Sequence, residues 1–293
     1  MIRPPLPLLE RLPYERQKRD NQPELGEALK AMTIGIGFAS PRAIVLGADM
    51  EITSGTSKHA ARKDYVQFLG NGDEDGVIGA IYAGVQMDMD ATWERISAKV
   101  SAFIKTSEPI STASARAIVE ESLAETFRRK RATTEMLVAI AKKGEASIFL
   151  KTCGKDVAPA HAWEIIGVGN SELALYLIQT MVGDRPQLES EAQAALCATR
   201  VIEIARRYVR MVGQGTRITA VTESGSYHYV DGGLFDKQLA SAEQCCGFMW
   251  ADFCDLDLSQ EDFGKQFDLF KKRMLNAREH LPRIFPRPPA PTG

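Results

Sequence analysis

The fold of this chain is indicated most strongly by the stretch TIGIGFASPRAIVLGAD, which runs from Thr33 to Asp49. Apolar residues alternate with small ones over 33–38, a period typical of a β-strand, and Ser40-Pro41-Arg42 is typical of a turn. Residues 43–49 are almost continuously apolar, as in a strand that is buried on both faces. The stretch therefore predicts an antiparallel hairpin in the interior of a layered protein.

The elements that follow repeat this arrangement in blocks. Strands at 63–69 and 76–83, joined by a turn rich in glycine and acidic residues, predict a second hairpin. Helices are expected near 89–103, 115–127, 171–182, 188–211 and 263–274, and further strands at 136–141, 146–150, 163–168, 216–222 and 226–230. Hairpin blocks separated by helix pairs predict an α+β protein with two antiparallel sheets face to face and helices outside.

Proline and charge distinguish the two ends of the chain. Residues 1–32 combine several prolines with many charged residues, and we predict that they form an extension without a core of its own. Residues 279–293 form a proline-rich tail, which is expected to be extended. One large domain is predicted between them, over 33–278.

Composition argues against several classes of function. Of the 293 residues 44% are hydrophobic and 25% charged, the balance of a soluble globular protein, and no run reaches the ~18 apolar residues of a membrane helix. A net charge of −2 offers no positive field for nucleic acid. Five cysteines predict reduced thiols in the cytoplasm. The four histidines lack metal-ligand spacing, and Gly167-Val168-Gly169 lacks the third glycine of a dinucleotide fingerprint, so neither metal nor cofactor is expected.

The two hairpins predict where four chemically useful residues meet. Residues equidistant from a hairpin turn face one another, which places Thr33 opposite Asp49 and Lys63 opposite Gly84. If both open ends lie at the same edge, the four residues converge. A threonine hydroxyl needs a base to act as a nucleophile, and an α-amino group on the same residue, with a reference pKa of about 7.7–8.0, would serve.

The other three residues each have a role in such a site. The Lys63 ammonium would keep the amine of Thr33 neutral and stabilise its ionising hydroxyl, while Asp49 would hold Lys63 by a charge-assisted hydrogen bond. The N–H of Gly84 would stabilise the developing oxyanion. Simpler interpretations stay open: Asp49 as a turn former, Lys63 as a solvated charge, and Gly84 as a turn residue before a helix.

The same residues carry a resemblance to a known family. The segments TIGIGF at 33–38, IVLGAD at 44–49 and YAGVQMD at 82–88, together with Thr53-Ser54-Gly55 and Lys63, resemble the proteasome β-subunit family of N-terminal nucleophile hydrolases, as a divergent bacterial-type member. The resemblance implies a four-layer αββα sandwich and a threonine nucleophile.

Further expectations follow from that resemblance. It implies a threonine-type peptidase or other amidohydrolase that acts on a peptide or small amide, and a homo-oligomer, with rings among the expected forms. It also implies a substrate pocket near Ile52, Tyr82 and Gln86.

The chain departs from the family pattern in three places. Val168 stands where the family has a serine that supports the nucleophile, and the family's Arg-Asp-x-x-Ser-Gly segment has no counterpart in 209–215. Thr33 is internal and follows Met32, so its amine is exposed only by translation from Met32 or by cleavage of a propeptide. These departures favour a second interpretation, a non-catalytic structural or interaction subunit on the same fold.

Overall fold

The structure is a computed structural model, and it describes residues 33–54, 57–60, 62–69, 75–106, 108–132, 134–167, 172–182, 188–209 and 212–281. The extension predicted over 1–32, the turn at 70–74 and all but the first three residues of the predicted tail lie outside these ranges.

Twelve strands, six helices and one short 3-10 helix form within the described residues. The strands are β1 Ile34–Ser40, β2 Ala43–Asp49, β3 Glu51–Ser54, β4 Ser57–Ala60, β5 Asp64–Leu69, β6 Gly76–Ala83, β7 Glu135–Lys142, β8 Ile148–Cys153, β9 Asp156–Pro159, β10 Trp163–Gly167, β11 Thr216–Thr222 and β12 Tyr227–Asp231. The helices are α1 Gln86–Ile104, α2 Thr112–Thr126, α3 Glu172–Val182, α4 Glu191–Tyr208, α5 Asp236–Cys254 and α6 Gln260–Glu279, and the 3-10 helix is Gly232–Phe235.

Ten of these strands form two five-stranded antiparallel sheets. The first sheet has the order β10-β1-β2-β11-β12, the second has the order β5-β6-β7-β8-β9, and β3 pairs only with β4. Short turns join the paired strands β1–β2, β7–β8, β8–β9 and β11–β12, whereas the pairs β1–β10, β2–β11 and β6–β7 join strands that are separated by helices in the sequence.

Three hydrophobic cores, one at each interface between neighbouring layers of sheet or helix, hold the structure together. Between the first sheet and helices α3 and α4, Ile36 and Phe38 of β1 pack with Ile202 of α4. Between the two sheets, Leu46 of β2 is buried with Ile81 of β6. Between the second sheet and helices α1 and α2, the buried residues are Ile78, Tyr82, Met89, Ile96, Val119 and Leu123, with others. The architecture is a four-layer αββα sandwich, and the predicted α+β fold class is confirmed.

The glycines of TIGIGF are explained by packing between the sheets. Side chains alternate along a strand, so the isoleucines of β1 face helix α4 and the glycines face the second sheet. A Cβ added at Gly35 would lie 3.1 Å from Ile81 Cδ1 of the second sheet, and one added at Gly37 would lie 2.5 Å from the ring of Phe149, also of the second sheet. Small residues on this face therefore let the two sheets approach each other.

The register of both hairpins differs from the predicted one. Ile34, and not Thr33, lies in the pairing position of Asp49, because β1 and β2 are related by a turn centred between Pro41 and Arg42. In the second hairpin Tyr82 lies in the position opposite Lys63, two residues before Gly84, and its N–H donates to the Lys63 carbonyl oxygen at 3.3 Å. The register of a hairpin depends on the geometry of its turn. Counting equal numbers of residues from an assumed turn centre does not predict that geometry.

Candidate active site

Thr33 lies at the entry to β1 and is buried. The next residue, Ile34, pairs with Gly167 at the end of β10, which brings Gly167 against the Thr33 backbone. A Cβ at Gly167 would lie only 2.0 Å from the Thr33 carbonyl oxygen, and the φ of Gly167 is 72°, a left-handed conformation that favours glycine. The end of β10 is therefore shaped to fit closely around the peptide that joins Thr33 to β1.

Asp49, the last residue of β2, is completely buried and accepts three hydrogen bonds. Its Oδ1 accepts from the Ile34 N–H at 3.0 Å, and its Oδ2 accepts from Lys63 Nζ at 2.9 Å and from the Gly213 N–H at 2.8 Å. Burial raises the pKa of the Asp49 carboxyl above its ordinary value, while the Lys63 ammonium and the two N–H donors act in the opposite direction. Because all three of these groups donate, the ionised carboxylate fits this site.

Lys63 places a positive charge inside the protein at the same end of the sandwich. Its side chain is 2% exposed, and the carboxylate of Asp49 connects it to the peptide that follows Thr33. The position of Lys63 just before β5 brings the second sheet into the site, whereas Thr33 and Asp49 belong to the first. A buried charge of this kind is tolerated only when it is paired and hydrogen-bonded.

The segment 212–215 contributes backbone donors to the site. Gly213 N–H binds Asp49, and Gln214 N–H donates to Glu51 Oε2 at 3.1 Å. A Cβ at Gly213 would lie 2.0 Å from Glu51 Cβ and 2.5 Å from Asp49 Oδ2, so only glycine allows this approach. Main-chain amides of 212–215 therefore donate to two buried carboxylates.

Gly84 lies between β6 and α1, half-buried, at the end of the second sheet that carries this site. Its neighbour Ala83 lies close to Gly167, since the Ala83 Cβ is 3.0 Å from the place where a Gly167 Cβ would be. Gly167 also lies against the Thr33 carbonyl group. Residues 83–84 are therefore close to the Thr33 peptide, with Gly167 between them. The oxyanion role of the Gly84 N–H stays a prediction.

Glu135 is a residue of this region that the sequence did not indicate. It begins β7, opposite Ala83, and its Oε2 accepts the Gly167 N–H at 2.6 Å. The carboxylate therefore fixes the backbone of Gly167 where that residue meets Thr33. No motif marks such a position, because the contact joins residues 32 apart in sequence across two different sheets.

The three residues expected at a substrate pocket occupy different environments. Tyr82 is buried beneath α1, where its ring stacks on Tyr65 at a centroid distance of 5.3 Å and its hydroxyl donates to the Arg62 carbonyl oxygen at 3.4 Å. Burial raises the pKa of Tyr82 to about 12. Gln86 is exposed at the first turn of α1, and Ile52 lies in β3 with a side chain outside the described set. Their role in binding substrate stays a prediction.

Two features typical of other classes of protein are absent from the described residues. No group of three or more His, Cys, Asp or Glu side chains there is arranged to hold a metal ion. None of the helices described is both long and apolar enough to cross a membrane.

Comparison with known proteins identifies the fold. No protein-family model and no curated protein matches the chain. Among solved structures, the chain is similar to a Gly-1 mutant of Anbu from Hyphomicrobium sp. strain MC1, with a TM-score of 0.57 and 16% identity over 68% of this chain and 87% of that one. It is also similar to Anbu, an ancestral beta-subunit, from Yersinia bercovieri, with a TM-score of 0.52 and 14% identity over the same shares. The chain has the N-terminal nucleophile hydrolase fold.

Proposed function

We propose that this protein is a threonine-type N-terminal nucleophile hydrolase that cleaves peptide or other amide bonds, with Thr33 as its nucleophile. The observation that carries the proposal is the buried Asp49–Lys63 ion pair, hydrogen-bonded to the peptide that follows Thr33. A lysine at this depth destabilises the fold unless its charge is compensated, so its position next to the entry of β1 favours a chemical role over a packing role.

The proposed reaction uses the α-amine of Thr33 as its base. Oγ1 attacks the carbonyl carbon of the amide while its proton moves to the amine, and the N–H of Gly84 stabilises the oxyanion. Collapse of the intermediate breaks the C–N bond, and the leaving amine takes the proton. Water then hydrolyses the threonine ester and regenerates the site. Lys63 stabilises the ionising hydroxyl, and Asp49 holds Lys63 in place.

This mechanism requires removal of everything that precedes Thr33. Thr33 is held on its carbonyl side, by the close contact with Gly167 and by the hydrogen bond from the Ile34 N–H to Asp49. Cleavage before Thr33 would change only its nitrogen side. We propose that the mature protein begins at Thr33, that it works in the cytoplasm as a homo-oligomer, and that Tyr82, Gln86 and Ile52 lie around its substrate.

Covalent labelling tests the assignment. The protein is incubated with a β-lactone or an epoxyketone, and the modified residue and the mature N-terminus are identified by mass spectrometry. We expect an adduct on a chain that begins at Thr33, and no adduct on the Thr33→Ala variant. Thr53→Ala is the matched control, since it removes a threonine hydroxyl that the proposed mechanism does not use. Labelling that persists in Thr33→Ala would refute the assignment.

A non-catalytic subunit on the same fold is the second candidate. It is favoured by Val168, which supplies no hydroxyl where the family has its supporting serine. Under this candidate neither wild type nor Val168→Ser is labelled, and the chain retains the residues before Thr33. If Val168→Ser is labelled and wild type is not, the valine at position 168 is the reason that this chain is inactive.

A further inference from the structure

The hairpin of helices α5 and α6 is the least buried part of the described chain. None of the residues of α6 is buried. Several large apolar side chains of the hairpin are exposed, among them Phe248, Trp250, Phe253, Leu256, Leu269 and Leu275. Exposed apolar residues in such number mark a surface that another molecule covers.

Two contacts define how the helices of the hairpin are aligned. Gln238 Nε2 donates to the His280 carbonyl oxygen at 3.2 Å, and the guanidinium of Arg273 lies 6.0 Å from the ring centre of Phe248. The helices are therefore antiparallel, with the loop 255–259 at the far end. A residue of α5 and a residue of α6 therefore lie at the same height along the hairpin when their residue numbers add to about 520. Trp250 of α5 lies at the height of about residue 270 of α6.

The same contact separates the two broad sides of the hairpin. Phe248 and Arg273 meet on one side. Trp250 and Leu275 each follow two residues later, about 200° around their helices, so both project from the opposite side. This second side, which we call the Trp250 face, combines an aromatic residue of α5 with an aliphatic residue of α6. Trp250 is 67% exposed and Leu275 is 50% exposed.

On α6 the Trp250 face is formed by residues at alternating spacings of three and four, the period of a helix–helix seam. They are Glu261, Gly264, Asp268, Lys271, Leu275 and Arg278, and all are exposed. When the seam is placed antiparallel to an identical seam, with the centre between Leu269 and Phe270, the two are complementary. Asp268 then meets Lys271, Gly264 meets Leu275, and Glu261 meets Arg278.

We propose that the Trp250 face binds the same face of a second copy of this chain, with the two α6 helices antiparallel about a two-fold axis. Such an axis makes each contact occur twice, as in any isologous interface. The two Trp250 residues, level with the middle of α6, would then lie beside the axis. The resulting contact is a four-helix bundle made from two hairpins.

The charges of α6 favour a second copy over an unrelated partner. Residues 260–269 hold three acidic residues and one basic residue, whereas 270–279 hold four basic residues and one acidic residue. Within the described residues, neither Asp268 nor Lys271 takes part in an ion pair. An antiparallel partner α6 supplies the opposite charge to both, and a parallel one would oppose like charges.

Gly264 gives an independent reason for the same arrangement. Glycine weakens a helix interior, yet a Cβ at Gly264 would meet nothing within 4 Å in this chain. The absence of a side chain is explained if the Leu275 side chain of the second copy occupies that space. The face measures roughly 30 Å by 20 Å, which would bury about 1,200 Å² in total, the lower limit of a specific interface.

Exchange of the central charges tests the proposal on the full chain. Sedimentation velocity over a range of concentrations gives the dissociation constant of the dimer. We expect Asp268→Lys and Lys271→Asp each to raise this constant about tenfold or more, because each places two like-charged pairs at the axis. The double variant D268K/K271D restores the opposite charges, and we expect it to associate like wild type.

A matched pair of leucines provides the control. Leu275→Gln should weaken association, whereas Leu269→Gln should not, since Leu269 has a similar exposure of 40% but projects away from the seam. Far-ultraviolet circular dichroism and the unfolding midpoint verify that each variant is folded. A monomer at all concentrations, a double variant as weak as the single ones, or equal effects of the two leucine substitutions would each overturn the proposal.

Discussion

Two lysine–carboxylate pairs in different regions of the molecule have nearly the same geometry. Lys63 Nζ lies 2.9 Å from Asp49 Oδ2 in the candidate site, and Lys265 Nζ lies 2.8 Å from Glu261 Oε1 on the C-terminal hairpin. The side chains of the first pair are 2% and 0% exposed, and those of the second are 65% and 81% exposed. The distance between the charges is therefore not what distinguishes them.

The environment of each pair determines what it does. Inside the sandwich both charges have lost water, so each depends on the other, and the Asp49 carboxylate also depends on the N–H groups of Ile34 and Gly213. On the hairpin, water and salt screen the attraction, and either partner can be replaced by solvent. The buried region is thus specified from within the chain, whereas the hairpin retains charges and apolar residues that are available to a second molecule.

Removal of one lysine from each pair should give the largest difference. We expect Lys63→Ala to lower the free energy of unfolding by about 3–5 kcal/mol, because it leaves the Asp49 carboxylate buried without its cation. Lys265→Ala should leave the urea midpoint within experimental error. The double variant Asp49→Asn with Lys63→Met should be more stable than Lys63→Ala, since no unpaired charge remains. Equal urea midpoints for the two alanine variants would contradict the comparison.

A glycine in each region allows a second comparison, with effects of opposite sign. Gly213→Ala should destabilise the protein by about 1–3 kcal/mol, because the new methyl group would overlap Glu51 and Asp49. Gly247→Ala on α5 should stabilise it by up to about 1 kcal/mol, since that position has open space and alanine favours a helix. Chemical denaturation measures both. A stabilising effect of Gly213→Ala would show that the segment 212–215 is not held against the two carboxylates.

Alkaline pH should produce a smaller effect beneath α1. The pKa of Tyr82 is raised to about 12 from an ordinary value of about 10, so the folded state favours the neutral phenol. This contribution to stability is complete below pH 10 and is lost as the pH rises through 12. Between pH 9 and pH 11 wild type should lose about 1 kcal/mol more than Tyr82→Phe, as measured by urea unfolding. Parallel losses in the two proteins would contradict the assigned burial of the hydroxyl.

Local sequence patterns predicted most of the layered architecture. The alternation in TIGIGF, the apolar run of β2 and the helical spacing in α1 were sufficient, because strands and helices must each bury one face. The patterns did not predict β3, β4 and β9, which are only four residues long, or α5, whose large apolar residues Phe248, Trp250 and Phe253 are exposed.

The candidate site was predicted less completely. Counting from turns indicated the residues at the open ends of the hairpins but gave a register that differs by one residue in the first and by two in the second. The contacts of Glu135 with Gly167 and of Gly213 with Asp49 were not predicted, since they join distant parts of the chain through backbone N–H groups that any residue possesses.

The order of the elements and the apolar face of each follow from the sequence alone, because the period of side chains along a strand or helix is a local property. Local patterns do not predict that Lys63 pairs with Asp49 inside the protein while Lys265 remains in water; the packed fold is needed for that. That outcome depends on the packing of the second sheet against the first, which removes solvent from one lysine and leaves the other on a helix with no buried residue.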